Sequence, residues 1–298
     1  MDTKRTRLGR VGVWHAALGR VSADAGRDAV AEIERLGYGT LWFGEGSTTK
    51  EALTNAAILL CASRSITVGT GIANIWARDA TAMAAGADTL AEAYPGRFAL
   101  GIGVSHAPLV ESRGHDYRRP VAAMTAYLDA MRRADYEAPA PAHPAPLLLA
   151  ALRPRMLELA RDRADGAHPY FVPVEHTERA REVLGGEPIL APEQAVVLER
   201  DPGTAREYAR EHMAPYLALP NYANNLRALG FDDDDLADGG SDRLVDAIVA
   251  WGDVDAIRDR VRAHLDAGAD HVAIQPLAPG GRLPLDHLGE LAPALLAV

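Results

Sequence analysis

The chain has 298 residues, 48% hydrophobic and 24% charged, an ordinary globular composition that allows a large core. Its formal net charge of −10 argues against a nucleic-acid or anionic-membrane partner, and no run approaches the roughly 20 apolar residues of a membrane span. A single cysteine, Cys61, excludes an internal disulfide framework and a cysteine metal cluster.

The N-terminus is basic (Lys4, Arg5, Arg7, Arg10) without a long apolar stretch behind it, so no signal peptide is expected and a reducing cytoplasm fits best. Strand and helix patterns then alternate. Arg10–His15 reads as a strand and Ala23–Leu36 as an amphipathic helix. Thr40–Glu45 is a second strand, followed by a helix over Glu51–Ser63. Ile66–Ile72 is a third, followed by a helix over Thr81–Ala93. Arg97–Val104 is a fourth, with a helix over Val121–Ala134 after a loop. Ala138–Pro146 holds four prolines and reads as an extended linker. Leu147–Leu152 is a fifth strand, and Pro154–Asp165 begins with proline at a helix start. Ala167–Val172 and Ile189–Leu198 are strands six and seven, with helices Glu175–Leu184 and Pro202–Leu217. Pro220 to about Gly240 reads as a polar, irregular insert, then helices span Asp242–Ala250 and Val254–Ala267. His271–Pro276 is an eighth strand and Leu285–Leu296 a closing helix.

Eight strands alternating with helices imply parallel pairing through right-handed crossovers. A closed (β/α)8 TIM barrel of the α/β class is the simplest architecture, as one domain over residues 1–298 with an insert at about 220–240. An open doubly wound sheet is the alternative. It lacks its usual fingerprint, since Gly101-x-Gly103 has no third glycine and sits on the fourth strand.

In such a barrel the chemistry lies at the C-terminal strand ends. The third strand ends in Gly69-Thr70-Gly71-Ile72-Ala73-Asn74, where two glycines suit a bulge or a close backbone approach to a ligand. His106, after the fourth strand, is the acid–base candidate, weighed against a plain loop histidine. Glu45 is a second proton-transfer group, a hydrogen-bond anchor or a rim salt bridge. His15 shapes the pocket wall, and Tyr170, Glu193, Gln194 and Gln275 stand at later strand ends. Gly101-Ile102-Gly103 removes bulk where a flat ring would approach, and Leu152-Arg153-Pro154 offers a helix start and a guanidinium to a phosphate tail. Trp14 and Trp42 read as wall or core. No HExxH or GxSxG motif occurs, and the run Asp232–Asp235 reads as a solvated turn rather than a metal site. Cys61, in an apolar helix pattern, reads as core packing.

Three blocks, TGIANIWARD, YPGRFALGIGVSH and RPRMLELARDRADG, together with Trp42–Glu45, resemble the bacterial luciferase-like superfamily, closest to its branch using the deazaflavin coenzyme F420. The resemblance covers nearly the whole chain. It implies a (β/α)8 barrel, usually dimeric, and a non-proline cis peptide that maps onto Gly71-Ile72. It implies cofactor contacts from Gly71, Ile72, Asn74, Gly103, Val104, Ala151, Leu152 and Arg153, substrate contacts from His15 and Tyr170, and catalysis by His106 and Glu45. Where many relatives place an acidic residue followed by His after strand two, here Glu45 precedes Gly46. Where some dehydrogenases carry a Glu after strand four, here stands His106. The Ser-Gly common after strand five is Leu152-Arg153. The leading function is hydride transfer between the deazaflavin C5 and a small organic substrate. An FMN-dependent monooxygenase is the alternative, and a non-catalytic binder of a flavin-like ligand is the reading from another class.

Overall fold

Buried, β-branched segments form the first three strands: β1 (Val11–Trp14), β2 (Thr40–Phe43) and β3 (Thr67–Thr70). Each is buried at every position, because a parallel strand between barrel interior and outer helices has no solvent face. The computed structural model describes residues 7–298, so Lys4 and Arg5 lie outside it. The remaining strands are β4 (Ala73–Asn74), β5 (Phe98–Gly103), β6 (Leu147–Leu149), β7 (Gly166–Ala167), β8 (Ile189–Leu190), β9 (Glu193–Leu198), β10 (Val249–Gly252) and β11 (Val272–Pro276). Their ladders are parallel, in the order β10-β9-β11-β1-β2-β3-β5-β6-β7-β8, and β4 pairs with β5.

That order closes on itself. β8 and β9 are one run interrupted at Pro192, which has no N–H to give a ladder. Ala191 N donates to Ala167 O at 2.9 Å on one side of the run, and Ala273 N donates to Pro192 O at 2.9 Å on the other. The eight barrel positions are therefore β1, β2, β3, β5, β6, β7, β8 with β9, and β11, the parallel α/β barrel expected from the alternation.

The outer helices are α1 (Ala23–Arg35), α2 (Ala52–Cys61), α3 (Ala80–Ala93), α4 (Ala107–Glu111), α5 (Pro120–Arg132), α6 (Pro154–Arg163), α7 (Val174–Leu184), α8 (Pro202–Leu217), α9 (Pro220–Ala228), α10 (Asp233–Leu236), α11 (Asp242–Ile248), α12 (Val254–Asp266) and α13 (Leu285–Leu295). Helix α1 shows how they form. Ser22 caps it by accepting from Ala25 N at 3.2 Å, and Gly26, Ala29, Val30 and Ile33 bury one face at helical spacing. No helix among the described residues is long and apolar enough to cross a membrane.

Four local expectations change. The stretch from Pro220 to Gly240 is largely helical, not irregular: Tyr222 and Leu226 of α9 are buried in a second apolar cluster with Phe171, Met213 and Leu244. The aspartate run starts α10, where Asp232 and Asp235 form a reciprocal capping box and Asp235 pairs with Arg243. The helix expected to reach Ala250 stops at Ile248, and Val249–Gly252 adds β10 beside β9, outside the ring. Cys61 is exposed, because the last residue of α2 falls on its outer face.

Candidate active site

The bulge after β3 is built by side chains of other strands. The Gly71-Ile72 peptide is cis, as the resemblance implied. Trp14 Nε1, at the end of β1, donates to Gly71 O at 2.9 Å. Glu45, just past β2, holds both flanks: its N donates to Ile72 O at 3.1 Å and its Oε2 accepts from Asn74 N at 2.8 Å. Its Oε1 accepts from Ala52 N at 3.1 Å and pairs with Arg78, which also reaches Glu51 at 2.6 Å. With a side chain only 3% exposed and both oxygens engaged, Glu45 serves as an acceptor clamp, the anchor among its sequence readings.

Above the bulge lies a cavity of about 1090 Å³ at the C-terminal mouth of the barrel. Glu45, Gly71, Ile72, Val104, His106, Ala151, Leu152, Arg153 and Tyr170 all line it. His15, Asn74 and Gly103 do not. His15 turns away to accept from Ala17 N at 3.1 Å, capping a short 3-10 turn, and burial lowers its pKa to about 4. Asn74 Oδ1 turns back to accept from Trp76 N at 3.0 Å. The missing side chains at Gly101 and Gly103 leave room for Thr70 and Ile72, so these glycines admit the bulge rather than a ring.

His106 lines the cavity at the start of α4. Its Nδ1 donates to Asn221 Oδ1 at 3.1 Å, which leaves Nε2 as the acceptor. Burial pushes its pKa down, with the Asn221 bond opposing, so the ring is neutral near pH 7. Asn221 and Tyr222 come from α9 and Tyr216 from α8, late segments that no local pattern points toward the barrel mouth. Tyr216 and Tyr170 share a hydroxyl contact of 2.9 Å, and Tyr170 OH donates to Gln275 Oε1 at 2.9 Å. The wall also carries Arg20, Arg119, Arg153 and Arg155, while its one acidic residue among the described residues, Glu45, is already paired.

Two buried groups complete the floor and its support. Glu193 is the Tyr170–Phe171 anchor: its Oε2 accepts from Phe171 N at 3.1 Å, and burial raises its pKa to about 8. His168 also lines the cavity and follows β7 directly. The sequence reading missed it because it carried strand six through Val172, whereas β7 stops at Ala167. Among the described residues no group of three or more His, Cys, Asp or Glu is placed to hold a metal.

Comparison with known proteins places this geometry in a family. The family model for luciferase-like monooxygenases matches residues 8–271. A 5,10-methylenetetrahydromethanopterin reductase of Methanolobus tindarius is 23% identical, the match covering 86% of this chain and 92% of that protein. The structure of a coenzyme F420-dependent tetrahydromethanopterin reductase from Methanopyrus kandleri superposes with a TM-score of 0.79 at 16% identity, covering 97% of this chain and 99% of that one. The oxygenating constituent of 3,6-diketocamphane monooxygenase from Pseudomonas putida, in complex with FMN, gives 0.69 at 13% identity and covers 96% of each chain. With the matched region running from three residues before β1 to the residue before β11, the chain belongs to the luciferase-like monooxygenase family.

Proposed function

We propose that the protein is a coenzyme F420-dependent oxidoreductase acting on a small, largely apolar organic substrate. The observation that carries this reading is the charge of the cavity. In a chain of net charge −10, four arginines line it and its single carboxylate is neutralised by Arg78. A cationic cavity in an acidic protein favours an anionic ligand. Arg119, Arg153 and Arg155 would hold a phosphate-bearing tail. The name of the coenzyme F420-dependent tetrahydromethanopterin reductase supports the deazaflavin over FMN.

The residues present fit such a group. The bulge at Gly71-Ile72 offers a flat backbone surface with no side chain at Gly71, where an added Cβ would stand 2.5 Å from Trp14 Nε1. When bound, a deazaflavin supplies a carbon that accepts or donates a hydride. His106 would handle the accompanying proton, taking it on Nε2 when substrate is oxidised and returning it when substrate is reduced. Trp14, Tyr170, Tyr216 and Tyr222 give the rest of the cavity an aromatic wall that would exclude water from the reacting pair.

The test is equilibrium titration followed by fluorescence, with F420 and with FMN, each oxidised and reduced. F420 is expected to bind at least about tenfold tighter than FMN, a gap of about 1.4 kcal/mol. Tighter FMN binding, or FMN copurifying with the protein, would replace this reading with the monooxygenase.

A further inference from the structure

One acceptor at the cavity floor lacks a donor. His168 is 1% exposed, and its Nδ1 lies 2.6 Å from Ala191 O. A carbonyl oxygen only accepts, so Nδ1 carries the hydrogen and Nε2 presents a lone pair. That Nε2 is buried without a hydrogen-bond partner. The ring cannot readily turn away, because it stacks on Trp42 at 4.7 Å between centroids and 17° between planes. Nε2 lies 2.8 Å from the point that a Cβ on Gly71 would occupy, directly at the bulge. Burial, with His271 nearby, lowers the His168 pKa to about 4, so the group meets a ligand as a neutral acceptor. The nearest ring N–H donors are committed: Trp14 Nε1 to Gly71 O, and Trp42 Nε1 to His271 Nε2 at 3.0 Å.

We infer that His168 Nε2 receives an N–H of the bound ring system and so fixes which edge of that ring faces the barrel floor. This rests on the cofactor reading above. A pyrimidinedione-type ring, as in flavins and deazaflavins, has one imide N–H between two carbonyls, and that N–H matches the orphan acceptor. A fully buried acceptor left unmatched is costly, so a ligand supplying the donor gains affinity and a defined orientation. His168 acts here as a positioning residue, remote from the proton chemistry assigned to His106.

The test uses the whole chain and two probes, 8-hydroxy-5-deazariboflavin and its N3-methyl derivative, titrated by fluorescence. His168→Phe keeps a ring against Trp42 and removes the acceptor, while His168→Gln keeps an acceptor. The N3–H probe is expected to bind His168→Phe about tenfold more weakly than wild type, with His168→Gln between them. The N3-methyl probe is expected to bind wild type correspondingly weakly but His168→Phe no worse than the N3–H probe does. Unchanged affinity in both variants overturns the inference, as does a methylation penalty of equal size in wild type and His168→Phe. Failure of wild type to bind either ring would instead sink the cofactor reading itself.

Discussion

His106 and Glu45 both line the cavity, yet their surroundings differ. His106 keeps an unshared nitrogen and a neutral ring. Glu45 has both oxygens tied to backbone N–H groups and Arg78. His106→Ala is expected to lower turnover by roughly 10²–10⁴-fold, the range for a lost general acid or base, with cofactor affinity nearly unchanged. Steady-state rates beside titrations check this, and near-normal turnover in the folded variant would reduce His106 to a packing role. The place of His106 in the cavity wall was legible because it lies three residues past a glycine-ended strand. His168 was not, since a strand boundary moved by a few residues decides which side chain stands at the barrel mouth.

At the scale of the element, the bulge between β3 and β4 depends on a residue from the preceding βα unit. Glu45→Ala removes the acceptor for Asn74 N and Ala52 N and leaves Arg78, 10% exposed, with Glu51 as its remaining carboxylate. Losing one partner of a buried pair typically costs about 3–5 kcal/mol, and the Glu51 contact at 2.6 Å offsets part of that, so a loss of about 2–3 kcal/mol is expected. Urea unfolding would measure it. If Glu45→Ala left stability untouched while abolishing turnover, the clamp assigned to it would be wrong. The late helices show the converse case. Their apolar residues at α8, α9 and α11 bind one another and Phe171, and that packing carries Tyr216, Asn221 and Tyr222 to the cavity. Composition there is polar enough to read as a loop, because less than half of each short helix is buried, and in α10 only Asp235.

For the whole molecule, the buried histidines set a pH dependence. Burial lowers His15, His168, His176, His212 and His271 to about 4 and His264 to about 3. Groups with a depressed folded pKa stabilise fully above their unfolded value of about 6.5, and that stability is lost as pH falls toward the folded pKa. Glu193 works the other way: raised to about 8, its contribution is full below about 4.5 and fades as pH rises to 8. At pH 5 each histidine costs about 1–2 kcal/mol, so together they outweigh the one carboxyl. Unfolding free energy is therefore expected to be several kcal/mol lower at pH 5 than at pH 7. Glu193→Gln should widen that difference by raising the neutral value. Equal stability at the two pH values would contradict the neutral, buried state of these rings.

The alternation, the barrel, the strand-three bulge and most of the strand ends that face the mouth are legible in the amino-acid order alone. These follow from local periodicity and from glycines where a β-carbon has no room. Tertiary structure alone decided that Gly101 and Gly103 admit Thr70 and Ile72, that Glu45 is spent on Arg78 and the backbone, and that α9 brings Asn221 to His106. It also decided that His168 is left with an unmatched acceptor. Such pairings join residues far apart in the chain, and no local pattern encodes them: they exist only once the barrel has closed and water has been excluded from between its strands.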